Sequence, residues 1–313
     1  MSGKLEVRRW VRIGQPVYAV VQSVEGQYIA VGAEQGVKIF DLTGVELAAF
    51  PVTPMPVRQL AAVPDLAQLY VGARQGQLFR LDLERTAAGF DLAARSLYLC
   101  ENDLHTLALA ADGQIMALGH LSSALTLLHV DGELLWRRHP QDGTATEGRM
   151  WTVALDGAGQ TLYIGSADTG TNRLAALDAQ SRAAHGHCYL QARVTALAPL
   201  DNGRGVAAVL AQDVYSGRLV AYDNRMATPL WECDFDEPVT ALAADEQEPL
   251  LVAGVGYEGH VTLIDSCTGD VLACEPVKSV VNGLAISDGR SVAAVTQDGN
   301  LVLMHYLPEE FRL

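Results

Sequence analysis

The stretch V-G-A-E-Q-G-V-K-I-F-D, from Val31 to Asp41, holds a short apolar run, a tight polar turn, a second apolar run and a closing aspartate. By itself it reads as one hairpin. It belongs to a longer phrase, P-V-Y-A-V-V-Q-S-V-E-G-Q-Y-I-A-V-G-A-E-Q-G-V-K-I-F-D, from Pro16 to Asp41, and the start of that phrase returns along the chain. V-R-Q-L begins at Val57, L-H-T-L at Leu104, M-W-T-V at Met150, V-T-A-L at Val194 and again at Val239, and V-N-G-L at Val281. With Val17 these are seven copies, whose start positions differ by 40, 47, 46, 44, 45 and 42 residues.

Each start leads into a second apolar segment, such as Y-I-A-V-G (Tyr28 to Gly32), L-Y-I-G (Leu162 to Gly165) or L-L-V-A-G (Leu250 to Gly254). A turn and a third segment follow, such as V-K-I-F-D, L-V-A-Y-D or V-T-L-I-D, and a more polar fourth segment closes most units. The runs last four to six residues, are rich in Val, Leu, Ile and Tyr, and are bounded by Gly, Asp, Asn or Gln, so they read as strands. Turns such as A-D-G and Q-D-G supply residues that tolerate positive φ, as tight hairpins require. Units of four strands at this period are the mark of a β-propeller. The expectation is an all-β, seven-bladed propeller in one domain spanning 1–313, with blades starting near 17, 57, 104, 150, 194, 239 and 281.

A propeller must close its ring. The last unit has three strands, ending near Leu307. L-E-V-R-R-W-V-R-I, from Leu5 to Ile13, sets Leu5, Val7, Val11 and Ile13 against Glu6, Arg8, Trp10 and Arg12, with Arg9 breaking the apolar side. Period-two alternation marks a half-buried strand, so 5–13 is expected to complete the last blade. The alternative is a basic interaction arm.

The 313 residues are 49% apolar and 19% charged, which allows a substantial core. A formal charge of −15 argues against a general nucleic-acid binder, which needs a basic surface. The start, M-S-G-K-L-E-V-R-R-W, has no apolar core of a secretory signal, and no run is long enough to span a membrane. The five cysteines form no C-x-x-C, and reduced thiols in a cytoplasmic protein are expected. Cys267 and Cys274 are spaced to face each other across a hairpin, but that compartment disfavours a disulfide.

At this point the chain resembles a WD-repeat propeller. Pro16 to Asp41 carries a V-x-x-V start, a glycine turn, a G-x-x-x-G crossing and a closing aspartate. The Trp-Asp dipeptide is absent: Phe40, Leu81, Leu128, Leu177, Tyr222, Ile264 and Met304 hold its first position. Its second position holds Asp41, Asp82, His129, Asp178, Asp223, Asp265 and His305. Cohesion is therefore expected mainly from apolar packing between blades. A-L-D-A-Q-S-R (Ala176 to Arg182), I-D-S-C-T-G-D (Ile264 to Asp270), Trp136 and Trp231 are also similar to quinoprotein-like propellers, which ranks second.

No H-E-x-x-H, G-x-S-x-G, P-loop or dinucleotide fingerprint appears, so no cofactor is expected. The WD-repeat resemblance implies that the residue after the first apolar position of each innermost strand lines the upper channel. That position holds Tyr18, Arg58, His105, Trp151, Thr195, Thr240 and Asn282. Without a carboxylate this ring suits an inserted side chain or short peptide better than a metal. The alternative is a water-filled channel lining. Turns between second and third strands are expected on the same face, bringing Glu34, Gln35, Arg74, Gln75, His120, Asp168, Asp213, Tyr215, Tyr257, Glu258 and Gln297. The expected function is a non-enzymatic scaffold, a subunit of a larger complex, using Tyr18, Arg58, His105, Trp151, Asn282, Arg74, His120, Asp168, Tyr215 and Tyr257 to hold a protein partner. The alternative is a small-ligand-binding or enzymatic propeller, quinoprotein-like or lactonase-like.

Overall fold

The computed structural model describes residues 3–308 apart from 24–26, 53–55, 64–66, 87–88, 100–103, 111, 121–123, 139–148, 168–171, 201–202, 212–214 and 246. The chain folds into seven sheets of four antiparallel strands. Six sheets are built in chain order from hub to rim; in the seventh, Gly3–Arg12 is the outer strand beside Asn300–Pro308. The innermost strands are Val17–Gln22, Val57–Ala62, Leu104–Leu109, Arg149–Leu155, Arg193–Pro199, Val239–Ala244 and Val281–Ser287. Each touches the next, and Val281–Ser287 returns to Val17–Gln22. Among the described residues, no helix is long and apolar enough to cross a membrane.

The core lies between the blades. Seven apolar clusters each join one blade to its neighbour. Second strands are covered on both sides, so Tyr28–Ala33 and Leu250–Val255 are almost wholly buried and read as continuous apolar runs. Outer strands have a solvent side, so Ala184–Leu190 and Pro229–Phe235 alternate. The glycine ending the second segments now has a reason. A Cβ on Gly165 would lie 2.5 Å from Val194 Cγ1, and one on Gly254 2.7 Å from Val281 Cβ. These glycines let the first apolar residue of the next innermost strand reach the sheet, and each such buried Val contributes about 1.5–3 kcal/mol.

The closing aspartates organise the turns that follow them. Asp41 Oδ1 accepts hydrogen bonds from the Thr43 and Val45 amides at 2.8 and 2.9 Å. Asp178, Asp223 and Asp265 do the same for Ser181, Arg225 and Cys267. Burial pushes the Asp41 carboxyl up, but the bonds from Val45, Thr43 and Gly44 outweigh it and hold its pKa below 3.8. This turn chemistry is local and needs no tryptophan beside the aspartate.

The N-terminal strand pairs as expected, from Gly3↔Pro308 to Arg12↔Asn300, with one correction. Its apolar residues do not share a side. A bulge between Val7 and Arg9 leaves Arg8 as the extra residue. Leu5 and Val7 therefore pack between blades six and seven, and Val11 and Ile13 between blades seven and one. The extra residue of a bulge reverses which side chains face which way, so one strand seals two interfaces.

Two features lie outside the repeat pattern. In blade two the third and fourth strands, Gln77–Thr86 and Gly89–Leu99, run several residues past their counterparts. The extension turns back on blade one, where Phe90 meets Tyr28 edge-on with ring centres 4.9 Å apart. The two stretches similar to quinoprotein-like repeats also receive the two outer-strand tryptophans. Trp136 of blade three donates its indole N–H to the Ala179 carbonyl of blade four at 2.7 Å, and Trp231 of blade five to the Ser266 carbonyl of blade six at 2.8 Å.

Candidate functional site

The upper face of the disc carries the starts of the innermost strands and the turns between second and third strands. Backbone bonds hold these together: Glu34 N to Pro16 O at 3.0 Å, Gly256 N to Pro238 O at 2.9 Å, Gln297 N to Val280 O at 2.8 Å.

Every innermost strand is bulged at one place. The register shifts between Val17 and Ala19, Val57 and Gln59, Leu104 and Thr106, Met150 and Thr152, Val194 and Ala196, Val239 and Ala241, and Val281 and Gly283. The extra residues are Tyr18, Arg58, His105, Trp151, Thr195, Thr240 and Asn282. A bulge frees one residue from the ladder and re-aims its side chain. The ring is thus a ring of bulges, and the backbone sets it apart from the packed positions on either side.

Its members form a chain across blades one to three. The Tyr18 hydroxyl donates to Glu34 Oε2 at 2.5 Å. The Arg58 guanidinium carbon lies 5.3 Å from the centre of the Tyr18 ring. Such a cation–π contact contributes about 0.5–1 kcal/mol at an exposed site. Among the described residues Arg58 makes no hydrogen bond or ion pair, so its N–H donors stay open to the face. Gln59 Nε2 donates to the His105 carbonyl at 2.8 Å, tying blade two to blade three. Asn282 Nδ2 donates to the Val17 carbonyl at 2.8 Å, tying blade seven to blade one. Thr240 Oγ1 turns back to the Gly254 carbonyl within its own blade.

Burial, and then the nearby Arg58 charge, lower the His105 pKa from its ordinary 6.5. The imidazole is expected to titrate below that value by NMR, and Arg58→Ala to raise it only part of the way, because burial is the larger cause. As pH falls below 6.5 the unfolded chain takes up the His105 proton first. His105 therefore subtracts stability in that window and none above it. A titration midpoint above 6.5 would contradict the geometry.

The turn residues divide. Tyr215 and Tyr257 are exposed, at 75% and 58%, as large side chains on this face. Glu34, Gln35, Gln75, Glu258 and Gln297 are also exposed. His120 is a correction: it ends the second strand of blade three, is fully buried, and its Nε2 lies 2.9 Å from Thr126 Oγ1. The side-chain pair across adjacent strands draws it inward, away from the face. Asp168 and Asp213, and the side chains of Arg74 and Trp151, lie outside the described residues. The sequence reading missed that Glu34 brings a carboxylate to the ring. The signal was its place immediately after the second strand, opposite the start of the innermost one.

Cys188, Cys233, Cys267 and Cys274 are free thiols. Among the described residues no group of three or more His, Cys, Asp or Glu is placed to hold a metal ion.

No protein-family model matches the chain, and no curated protein does. Among solved structures it is similar to a chain in the crystal structure of a mitotic checkpoint complex, at 17% identity and a TM-score of 0.77, over 96% of this chain and 91% of that one. At that identity the likeness shows the propeller fold alone. Solved chains that match number 1756, so the fold narrows the function little.

Proposed function

We propose that this propeller is a non-enzymatic interaction scaffold of the cytoplasm, WD-repeat-like, and a subunit of a larger assembly whose partner docks on the upper face. The observation that carries this reading is the Glu34–Tyr18–Arg58 chain: an aromatic ring clamped between charges, with an unpaired guanidinium open to the face. Aromatic and arginine side chains on a rigid frame are the usual anchors of protein interfaces. The exposed Tyr215 and Tyr257 extend that surface. The similar solved chain belongs to a multi-protein complex, which agrees with a scaffold role. Four free thiols agree with a reducing compartment.

The test is capture of partners from the native host, identified by mass spectrometry, with Tyr18→Ala/Arg58→Glu beside the parent protein. The double variant is expected to lose its specific partners while melting like the parent, since both side chains leave the inter-blade core untouched. Undiminished capture at an unchanged melting temperature would refute the upper face as the docking surface. A second reading, a quinoprotein-like propeller holding a small ligand in its channel, is favoured by the Trp136 and Trp231 docks. A ligand-induced rise in melting temperature would favour it over the scaffold.

A further inference from the structure

Every outer strand of a propeller is a free sheet edge, and natural proteins guard such edges with bulges, prolines and charge. Six of the seven outer strands here pair in short runs only. The longest unbulged ladders in blades one and three to six are Ala48–Pro51, Trp136–Arg138, Gly186–Leu190, Trp231–Phe235 and Ala273–Pro276. In blade seven the bulge at Arg8 splits the outer strand into Gly3–Val7 and Arg9–Arg12. No run among these exceeds five residues.

Blade two differs. Its outer strand pairs without interruption from Gly89 to Ser96, a run of eight residues, before a bulge at Leu97. Other outer strands begin opposite the last apolar residue of the third strand, such as Phe40 or Tyr222. In blade two that residue is Leu81, opposite Ala94, and Gly89–Ala93 continues beyond it. Ala93 and Ala94, in the middle of the edge, are exposed and small, so another backbone can approach closely.

The charges on one side of this edge are mismatched within the chain. Asp91 stands directly opposite Glu84, and Arg95 directly opposite Arg80. Like charges directly opposite one another on antiparallel strands are destabilising. Arg80 has an opposite charge beside it, Asp82 at 3.0 Å. Asp91 and Arg95 are exposed and make no hydrogen bond or ion pair among the described residues.

Asp91 and Arg95 are placed symmetrically about Ala93. An identical strand laid antiparallel along this edge, Ala93 against Ala93, sets Asp91 of each copy opposite Arg95 of the other. Side chains alternate with a period of two, so both pairs form on one side of the sheet. Each row across the sheet then runs Glu84, Asp91, and the second copy's Arg95 and Arg80, acidic against basic at the junction. A slip of two residues either way parts the charges, so they fix the register.

We propose that two copies of this chain pair edge to edge through Gly89–Ser96, about a two-fold axis at Ala93, joining two four-stranded blades into one sheet. Such an interface is isologous: the same patch serves both copies. A foreign strand offers the same backbone bonds, but the reciprocal charges single out a second copy. The inference goes beyond the scaffold reading and does not rest on it, because this edge is the rim of blade two and not the upper face.

The test is sedimentation equilibrium of the full chain over a concentration series at low ionic strength. The parent is expected to dimerise reversibly, and more weakly as salt is added. Arg95→Asp and Asp91→Arg each set like charges in both reciprocal pairs and should weaken dimerisation by about tenfold or more. Within the blade each variant turns a like-charge pair into an opposite one, so both should melt no lower than the parent. An equimolar mixture of the two variants regains both pairs and should dimerise like the parent, as should the double reversal. Damage to the strand itself would not be repaired by mixing. A parent that stays monomeric up to about 1 mM would overturn the proposal and leave the edge to a strand of another protein. Single variants that dimerise as tightly as the parent, or a mixture or double reversal that stays monomeric, would overturn it as well. Partner capture at Tyr18 and Arg58 is read separately from all of these outcomes.

Discussion

Replacing Trp231 with alanine is expected to lower the stability of the protein by about 3–5 kcal/mol. The indole is 8% exposed and sits in the cluster that joins blades five and six. It lies against Gly269, where a Cβ would be 2.7 Å from the ring, and Gly269 has a φ of +80° that few other residues adopt. Its N–H satisfies the Ser266 carbonyl at 2.8 Å. Alanine removes the ring, opens a cavity and leaves that carbonyl without its donor. Phenylalanine keeps most of the packing and loses only the bond, so Trp231→Phe should cost about 1–3 kcal/mol. Trp136→Ala should behave like Trp231→Ala, since Trp136 makes the same dock two interfaces away, with Arg182 at a φ of 65° in place of the glycine. The two interfaces share no residue, so the double variant should show additive losses. Urea unfolding monitored by circular dichroism measures all four. A loss below about 0.5 kcal/mol for Trp231→Ala, the range of ordinary surface substitutions, would mean that the outer strands contribute little to inter-blade cohesion.

Removing residues 1–13 is expected to abolish cooperative unfolding altogether. They cover Val302, Met304 and Tyr306 on one side and Leu301 and Leu303 on the other. Without them two of the seven interfaces lose apolar cover at once. Asn300–Pro308 also becomes an unpaired apolar edge, which invites association. The shortened protein should bind apolar dyes and aggregate on gel filtration. A synthetic peptide of residues 1–13 added in trans should restore a single melting transition, because it replaces both the hydrogen-bonded ladder and the apolar cover. A shortened protein that melts like the parent would show that six complete blades and three strands close the ring unaided.

The fold was legible because its signal is repetition. Seven returns of one phrase, at nearly constant spacing, define the blades without any knowledge of what they touch. The WD-repeat resemblance points to the ring of Tyr18, Arg58, His105 and Asn282, and the bulges supply its physical basis. The alternation of Leu5, Val7, Val11 and Ile13 marked a strand, but the period hid the reversal at Arg8, because a bulge leaves no trace in a hydrophobic pattern. By its place between the second and third strands of blade three His120 reads as a turn residue on the face, whereas the strand runs through it and Thr126 across the sheet provides a partner inside. The extension of blade two was invisible as a unit, since its anchor, Tyr28, lies in another blade.

The sequence alone determined the number of blades, their strands, the closing aspartate turns and the segment that completes the ring, because strand pattern and turn chemistry act over a few residues. Only the tertiary structure decided which polar groups meet: Tyr18 with Glu34 and Arg58, and the tryptophans with the next blade's carbonyls. Most of those contacts join residues from separate repeats, and their distances are set by how the blades pack around the hub.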